Sequence, residues 1–413
     1  MKSPDDIIEI LKRKFKNKHK EWLKETVSDF NQWSLEINLG IPTEQEALKH
    51  PEGVRSWISV WNKWQSNAVN GNTLIWIERR WRTLGMQSVP EKLIIASAKD
   101  AAVWIGEDAR WSRATERFKM LVQHWSAVGS EAASALIDVL PRHFNVLADY
   151  NDGDFNSLCE ILSWICVNPK SNLYIRQIPV AGIDSKWLES RKGLVAELIA
   201  AMKCGVSDSD ISIEQGIPSR DFYKICGLKP LPQIIRMRVL DPKLRKMFGG
   251  LGDISAPLEE VAGFNFAMPA SPFIVFIVEN VQTALAFGDL ENSIVLFGLG
   301  YGVEVLGKLP WLGQSRCIYW GDIDTHGFAI LSRARSYLQK LDSILMDEAA
   351  LLSHKQLWVT EKDQATSVKL PNLTADEQKL YQALKSSAFG QSVRLEQERI
   401  RWDYAWNILR TLY

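Results

Sequence analysis

Three acidic residues close apolar runs. Glu279 ends FIVFIVE at 273–279, and Asp322 and Asp324 end RCIYWGDID at 316–324. A continuous apolar run is expected of a strand buried on both faces, and open parallel sheets gather their ligands outside the carboxyl ends of the strands. Period-2 alternation is expected to put both carboxylates of Asp-Ile-Asp on one face. Three carboxylates on one rim repel each other unless a cation intervenes. With no Cys or His cluster nearby, hard oxygen donors favour Mg²⁺ or Mn²⁺ over zinc. Such an ion can polarise a phosphodiester and stabilise an attacking or leaving oxygen. The plainer alternative is that the acids cap the helices that follow. His326, in DTHG, could donate to a phosphate or orient a water, or be an ordinary histidine at a helix start. LFGLGYG (296–302) superficially suggests a dinucleotide loop, but its glycines are spaced G-x-G-x-G rather than G-x-G-x-x-G.

The elements around these residues alternate. Strands are expected at 273–279, 293–298, 316–324 and 343–347, with helices at 281–287, 303–309 and 327–341, the pattern of a parallel, doubly wound sheet. Upstream, 5–23, 107–126 and 131–148 carry the i, i+3/i+4 rhythm of amphipathic helices. Between these regions lies a short mixed stretch. A helix is expected at 186–203, a second after Ser219 as N-cap to RDFYKIC, and a strand at 234–240 ended by Asp-Pro. Helix, helix and basic strand suit a winged-helix module, in which a helix enters a groove while a basic ribbon grips the backbone. The expected fold is therefore multidomain α+β: a mainly helical arm at 1–184 for dimer or partner contacts, a winged-helix-like DNA-binding module at 185–262, and an α/β domain with a parallel sheet at 263–413.

The 49 basic and 49 acidic side chains sum to zero, which removes the simplest sign of a nucleic-acid partner. Zero is a cancellation, however. Residues 224–246 hold seven basic groups, Lys224, Lys229, Arg236, Arg238, Lys243, Arg245 and Lys246, against Asp241 alone. These are the candidate phosphate contacts. The first helix is also crowded with Lys and Arg from Lys12 to Lys20, a possible second grip or simply a solvated face. Ten of the 17 tryptophans fall in the first 125 residues. No basic ladder is interleaved with them, so core packing is expected rather than base stacking. The composition excludes a disordered chain, a collagen-like fibre and a disulfide miniprotein. Five scattered cysteines without a C-x-x-C pair suggest reduced thiols in a cytoplasmic protein. Neither a signal peptide nor a membrane-spanning run is visible.

The acidic rim also carries a resemblance. A strand ending in Glu, then one ending in Asp-x-Asp followed by Gly and a helix, resembles the Toprim domain. More specifically, IVENVQTALAF, LFGLGYG, YWGDIDTHGFAILSRAR, RLEQERI and the junction IRQIPVAGIDSKWLESRKGL look like the JetD family, the nuclease subunits of the bacterial Wadjet anti-plasmid system. The likeness is good over roughly 170–400 and loose before that. It implies kinship with the catalytic subunit of topoisomerase VI, and a winged-helix module beside a Toprim domain. It also implies a homodimer that cuts closed circular double-stranded plasmid DNA with a divalent metal. The implied partners are an SMC-type complex with SMC, kleisin and winged-helix subunits. On this resemblance Glu279 matches the Toprim glutamate, and Asp322 and Asp324 its Asp-x-Asp. Glu396 and Glu398 match a late acidic motif that could ligate a second ion, hold Arg399 and Arg401, or be a charged first helical turn. Two alternatives stay open: topoisomerase-like transesterification by Tyr223, the only tyrosine between 186 and 260, and a non-catalytic DNA-binding subunit. RDFYKIC does not look like the topoisomerase tyrosine motif, so water is the expected nucleophile and Tyr223 a packing residue.

Overall fold

The computed structural model describes residues 1–27, 33–67, 72–127, 129–202, 222–264 and 273–413. The chain divides into two units, Met1–Pro230 and Leu231–Tyr413.

In the first unit the helix Pro4–Glu25 starts at a capping box: the Ser3 side chain accepts from the Asp6 N–H, and the Asp6 carboxylate accepts from the Ser3 N–H at 2.7 Å. The expected helix at 107–126 is present as Asp108–Ser126. The stretch 131–148 is broken instead. Ser130–Val139 gives way to a 3₁₀ turn at Leu140–His143 before Phe144–Asp149, because Pro141 has no N–H to continue the ladder. Likewise 186–203 is two helices, Ser185–Glu189 and Lys192–Ala201. The region is not helical throughout. It contains an antiparallel sheet of β1 (Leu35–Asn38), β2 (Thr73–Trp81) and β3 (Gly85–Ile95), in the order β1-β3-β2. Trp22, Trp57, Trp61, Trp111 and Trp125 are buried in its core. The indole N–H groups of Trp57 and Trp61 both donate to the Lys2 carbonyl, at 2.7 and 3.0 Å. These five rings are core, as expected where no basic ladder is interleaved with them. The expectation of reduced thiols fails at Cys166, which is disulfide-bonded, while Cys159, Cys226 and Cys317 are free.

The second unit is built on a six-stranded sheet of β4 (Ile234–Val239), β5 (Asp253–Pro257), β6 (Ile274–Val278), β7 (Ser293–Phe297), β8 (Arg316–Trp320) and β9 (Leu341–Ser343), in the order β5-β4-β7-β6-β8-β9. β7, β6, β8 and β9 run parallel, as expected, but β4 pairs antiparallel with both β7 and β5, so the sheet is mixed. The reason lies in β4. Ile235, Met237 and Val239 are buried, while Ile234 and Arg236 face outward. A strand with one apolar face can cover the edge that β7 would otherwise leave open. The described part of 185–262 is therefore shared between the units: the helices up to Phe222–Ile225 lie in the first, β4 and β5 in the second. Ser219 lies outside the described residues. Among those residues no helix is long and apolar enough to cross a membrane.

One ion pair is set deep in the second unit. Arg335 donates to the Glu377 carboxylate, with Nη2 at 2.9 Å from Oε1, and the two side chains are 10% and 8% exposed. Burial alone would push Glu377 up. Hydrogen bonds from Arg335, Ser343 and the Thr374 N–H outweigh it and hold the carboxyl below its ordinary value. Glu377→Ala leaves the guanidinium buried and unpaired, and is expected to destabilise the second unit by about 3–5 kcal/mol. Urea unfolding followed by the tryptophans of this unit measures it. The unfolded chain protonates Glu377 more readily than the folded one. The pair's contribution is therefore complete above the ordinary glutamate pKa and is lost as pH falls below it. In Glu377→Gln that pH dependence should be gone.

Candidate active site

β6 is apolar and buried along its whole length, and its neighbour β8 is in register with it, Val278 opposite Trp320. The residues that follow, Glu279 and Gly321, therefore emerge side by side at the carboxyl ends of two adjacent parallel strands. Gly321 is required there: a Cβ would stand 2.2 Å from Glu279 Oε1 and 2.8 Å from Tyr319 Cε1. Glycine is equally required at Gly327, where a Cβ would meet the Asp322 carbonyl oxygen at 2.1 Å. β8 ends at Trp320, earlier than the sequence suggested, so Asp322 and Asp324 lie beyond it rather than on a strand face. Asp324 caps the helix Thr325–Tyr337, its Oδ1 accepting from the Gly327 N–H at 2.6 Å. Ile323 between them bridges to Leu395, which brings the late segment 394–398 against the rim.

That segment supplies what spacing did not reveal. Arg394, in the two-stranded ribbon of β10 (Val359–Thr360) and β11 (Val393–Arg394), reaches both aspartates. Its Nη2 lies 2.6 Å from Asp322 Oδ2 and its Nε 3.0 Å from Asp324 Oδ2. Gln397, 1% exposed, joins three pieces. Its backbone N–H donates to Asp322 Oδ1 at 2.7 Å, its amide donates to the Trp320 carbonyl at 2.7 Å, and its Oε1 accepts from the Asn280 N–H at 3.0 Å. Glu398 accepts from the Asn280 amide at 2.8 Å, and Glu396 accepts from Arg399 at 2.7 Å. The late motif is thus a clamp on the rim, with Glu396 at the N-cap and Glu398 in the first turn of a short 3₁₀ helix, Gln397–Arg399.

The electrostatics are those of crowded acids. Burial pushes Glu279 up to about 7; Asp322 and Asp324 push the same way, while the Tyr319 hydroxyl, which donates to Glu279, and Arg394 oppose it. Burial likewise raises Asp324 to about 6, with Glu361 and Asp322 adding, against the Gly327 N–H and Arg394. Glu361 is 3% exposed. One of its oxygens accepts from the Thr325 hydroxyl at 2.6 Å, and the other is buried with no hydrogen bond. His326 is fully engaged. The Asp363 carbonyl, 3.0 Å from Nε2, can only accept, so the neutral ring carries its proton there and presents a bare Nδ1 to the Tyr301 hydroxyl. Tyr301 is itself half-exposed.

The donor set suits a hard divalent cation in its chemistry, being all carboxylate oxygen on one rim, with a buried carboxylate oxygen left unsatisfied. The acids are not gathered into a finished cage, since among the described residues no three His, Cys, Asp or Glu side chains are placed to hold an ion. Arg394 occupies the approach to the aspartate pair instead.

The expected basic window is divided between the two units. Lys224 and Lys229 lie in the first unit, where the Lys229 ammonium sits over the Tyr174 ring. In the second, Arg236 pairs with Asp253 at 2.7 Å and Lys243 with Glu291 at 3.0 Å. Arg238 donates to the carbonyls of Ala284 and Leu285, and Arg245 to those of Val239 and Leu240. Lys246 is exposed. Tyr223 lies in the first unit and its hydroxyl accepts from Lys192 at 2.9 Å, an engaged packing residue.

A largely helical first unit and a second unit built on a mixed sheet define the class, a mixed α and β protein with acids following the carboxyl ends of adjacent parallel strands. Within that class the chain belongs to the JetD family. Residues 227–409 match the family described as Wadjet protein JetD, C-terminal, and residues 4–200 match one described as an uncharacterized protein conserved in bacteria, N-terminal. No curated protein matches the chain. Membership implies a role in a multi-subunit Wadjet system. Gln397→Leu, close in size, strands the Trp320 carbonyl and the Asn280 N–H. It is expected to cost about 2–4 kcal/mol, seen as a lower denaturant midpoint, and to loosen both acidic loops, seen as faster amide exchange at Asn280 and Ile323.

Proposed function

We propose that this protein is the divalent-metal-dependent DNA endonuclease of a Wadjet system, with a Toprim-like second unit that hydrolyses phosphodiesters of closed circular DNA. The observation that carries this reading is the electrostatic coupling of Glu279 to Asp322 and Asp324, which follow the adjacent parallel strands β6 and β8, on a chain of the JetD family. Glu279, Asp322 and Asp324 would hold Mg²⁺ or Mn²⁺. When bound, the ion supplies Lewis-acid polarisation of the scissile phosphate and offsets the charge on the departing oxygen.

The chain's own residues do the positioning. Gln397 and Gly327 fix one oxygen each of Asp322 and Asp324 through backbone N–H groups, and Tyr319 fixes Glu279. Glu396 and Glu398 act through Arg399 and Asn280 rather than on the phosphate. His326, locked by the Asp363 carbonyl, orients the Tyr301 hydroxyl. Recognition of DNA is through backbone and shape. Lys229 and Lys246 contact phosphate directly, while the arginines of the window must first release their internal partners. In this reading the chain works as a homodimer, one site per strand, beside SMC, kleisin and winged-helix subunits that gate it. A winged-helix module around Phe222–Ile225 would include residues outside those described.

Asp322→Asn and Glu279→Gln are each expected to lower cutting of circular plasmid by more than about 100-fold with Mg²⁺ and the partner subunits present, while binding of duplex DNA is retained. Gel analysis of nicked and linear product measures the first, and fluorescence anisotropy the second. Chelation should abolish cutting in the unmodified protein. Undiminished cutting by Asp322→Asn would sink the assignment. No cutting by any form would favour a non-catalytic DNA-binding subunit, and a covalent protein–DNA adduct lost in Tyr223→Phe would favour transesterification.

A further inference from the structure

Arg394 is the cation already present at the rim. Its guanidinium lies 2.6 Å from Asp322, 3.0 Å from Asp324 and 3.6 Å from Glu396. The aspartate side chains are 17% and 4% exposed, whereas the arginine is 34% exposed. The fit is incomplete: Arg394 Nε is buried and forms no well-directed hydrogen bond, so charge rather than geometry holds it against Asp324. A guanidinium and a divalent cation compete for the same two carboxylates, because like charges that close repel at the effective dielectric of a protein rim. The planar fork of a guanidinium also matches a phosphate as well as it matches a carboxylate.

We propose that Arg394 is the resident counter-ion of the Asp322–Asp324 pair and a DNA-phosphate contact. A phosphate that draws the guanidinium away hands the pair over to a divalent cation. The inference rests on the metal-dependent reading above and deepens it: metal affinity and DNA binding become coupled through one side chain. Without DNA, Arg394 keeps the acids neutralised and the site a poor metal binder. With DNA, the arginine exchanges carboxylate for phosphate, and the vacated oxygens become available. By reciprocity, metal tightens DNA binding by the same factor.

The test is Mn²⁺ binding by isothermal titration calorimetry on the full chain, with and without a short linear duplex whose integrity is checked on a gel. Arg394→Gln is expected to bind Mn²⁺ about tenfold or more tighter than the unmodified protein when DNA is absent. The duplex is expected to tighten Mn²⁺ binding to the unmodified protein by at least about fivefold, and to leave Arg394→Gln unchanged. Arg394→Lys keeps the charge and should stay near the unmodified protein, so the comparison survives if Arg394→Gln folds poorly by circular dichroism. Mn²⁺ binding by Arg394→Gln no tighter than that of the unmodified protein would overturn the proposal. So would a tightening by DNA that persists in Arg394→Gln, since the arginine would then be a fixed structural partner. If Mn²⁺ binds no folded form, or binds Asp322→Asn as well as the unmodified protein, the metal-dependent reading itself falls and the inference with it.

Discussion

Like charges brought together at the end of a buried sheet are the constraint on which the second unit turns. β6 and β8 are so apolar that they pack in the centre of the sheet, and their ends deliver carboxylates into a half-enclosed rim. Such a rim is stable only if something offsets the repulsion. Three devices share that work. Glu279 takes a hydrogen bond from Tyr319, Asp324 takes the Gly327 N–H at a helix start, and Arg394 spreads its charge over both aspartates. The segment 394–398 exists, in physical terms, to hold those devices in register.

The two units show different kinds of order. In the first, large aromatic side chains fill a core among helices and a small antiparallel sheet, with the indole N–H groups of Trp57 and Trp61 satisfied by a backbone carbonyl. In the second, a regular sheet supplies rigidity and leaves its irregular backbone to the strand ends. Binding groups set on rigid elements keep their geometry, and here the acids are one or a few residues from the last hydrogen-bonded pair of a strand.

Much of this was legible in the sequence because burial on both faces leaves an unmistakable run of apolar residues. FIVFIV and SIVLF stand out against everything around them, and Glu279, Asp322 and Asp324 are conspicuous at the ends of such runs. Partners of strands are harder to read. IIRMRV announces a strand, but nothing in its alternation says that it will cover β7 rather than serve a separate module. The β2–β3 hairpin is harder to read, because TLIWIERRW alternates only in part. Arg394 and Gln397 could not have been singled out, since they reach the rim only through a bridge between residues 72 apart in the chain, Ile323 and Leu395. The acidic letters of LEQE drew attention, while the glutamine between them makes the contacts.

The same long return has a consequence in time. Asn280 waits for Gln397, 117 residues later, and Trp320 waits 77 residues for the same side chain. During synthesis the strands β6 to β9 can emerge and pair well before the clamp exists, and contacts so far apart in sequence form late in folding. A growing or truncated polypeptide would therefore carry the acidic residues without the fastening that aligns them. The acidic rim is fastened only once synthesis has passed Gln397, long after the strands that carry it have been made.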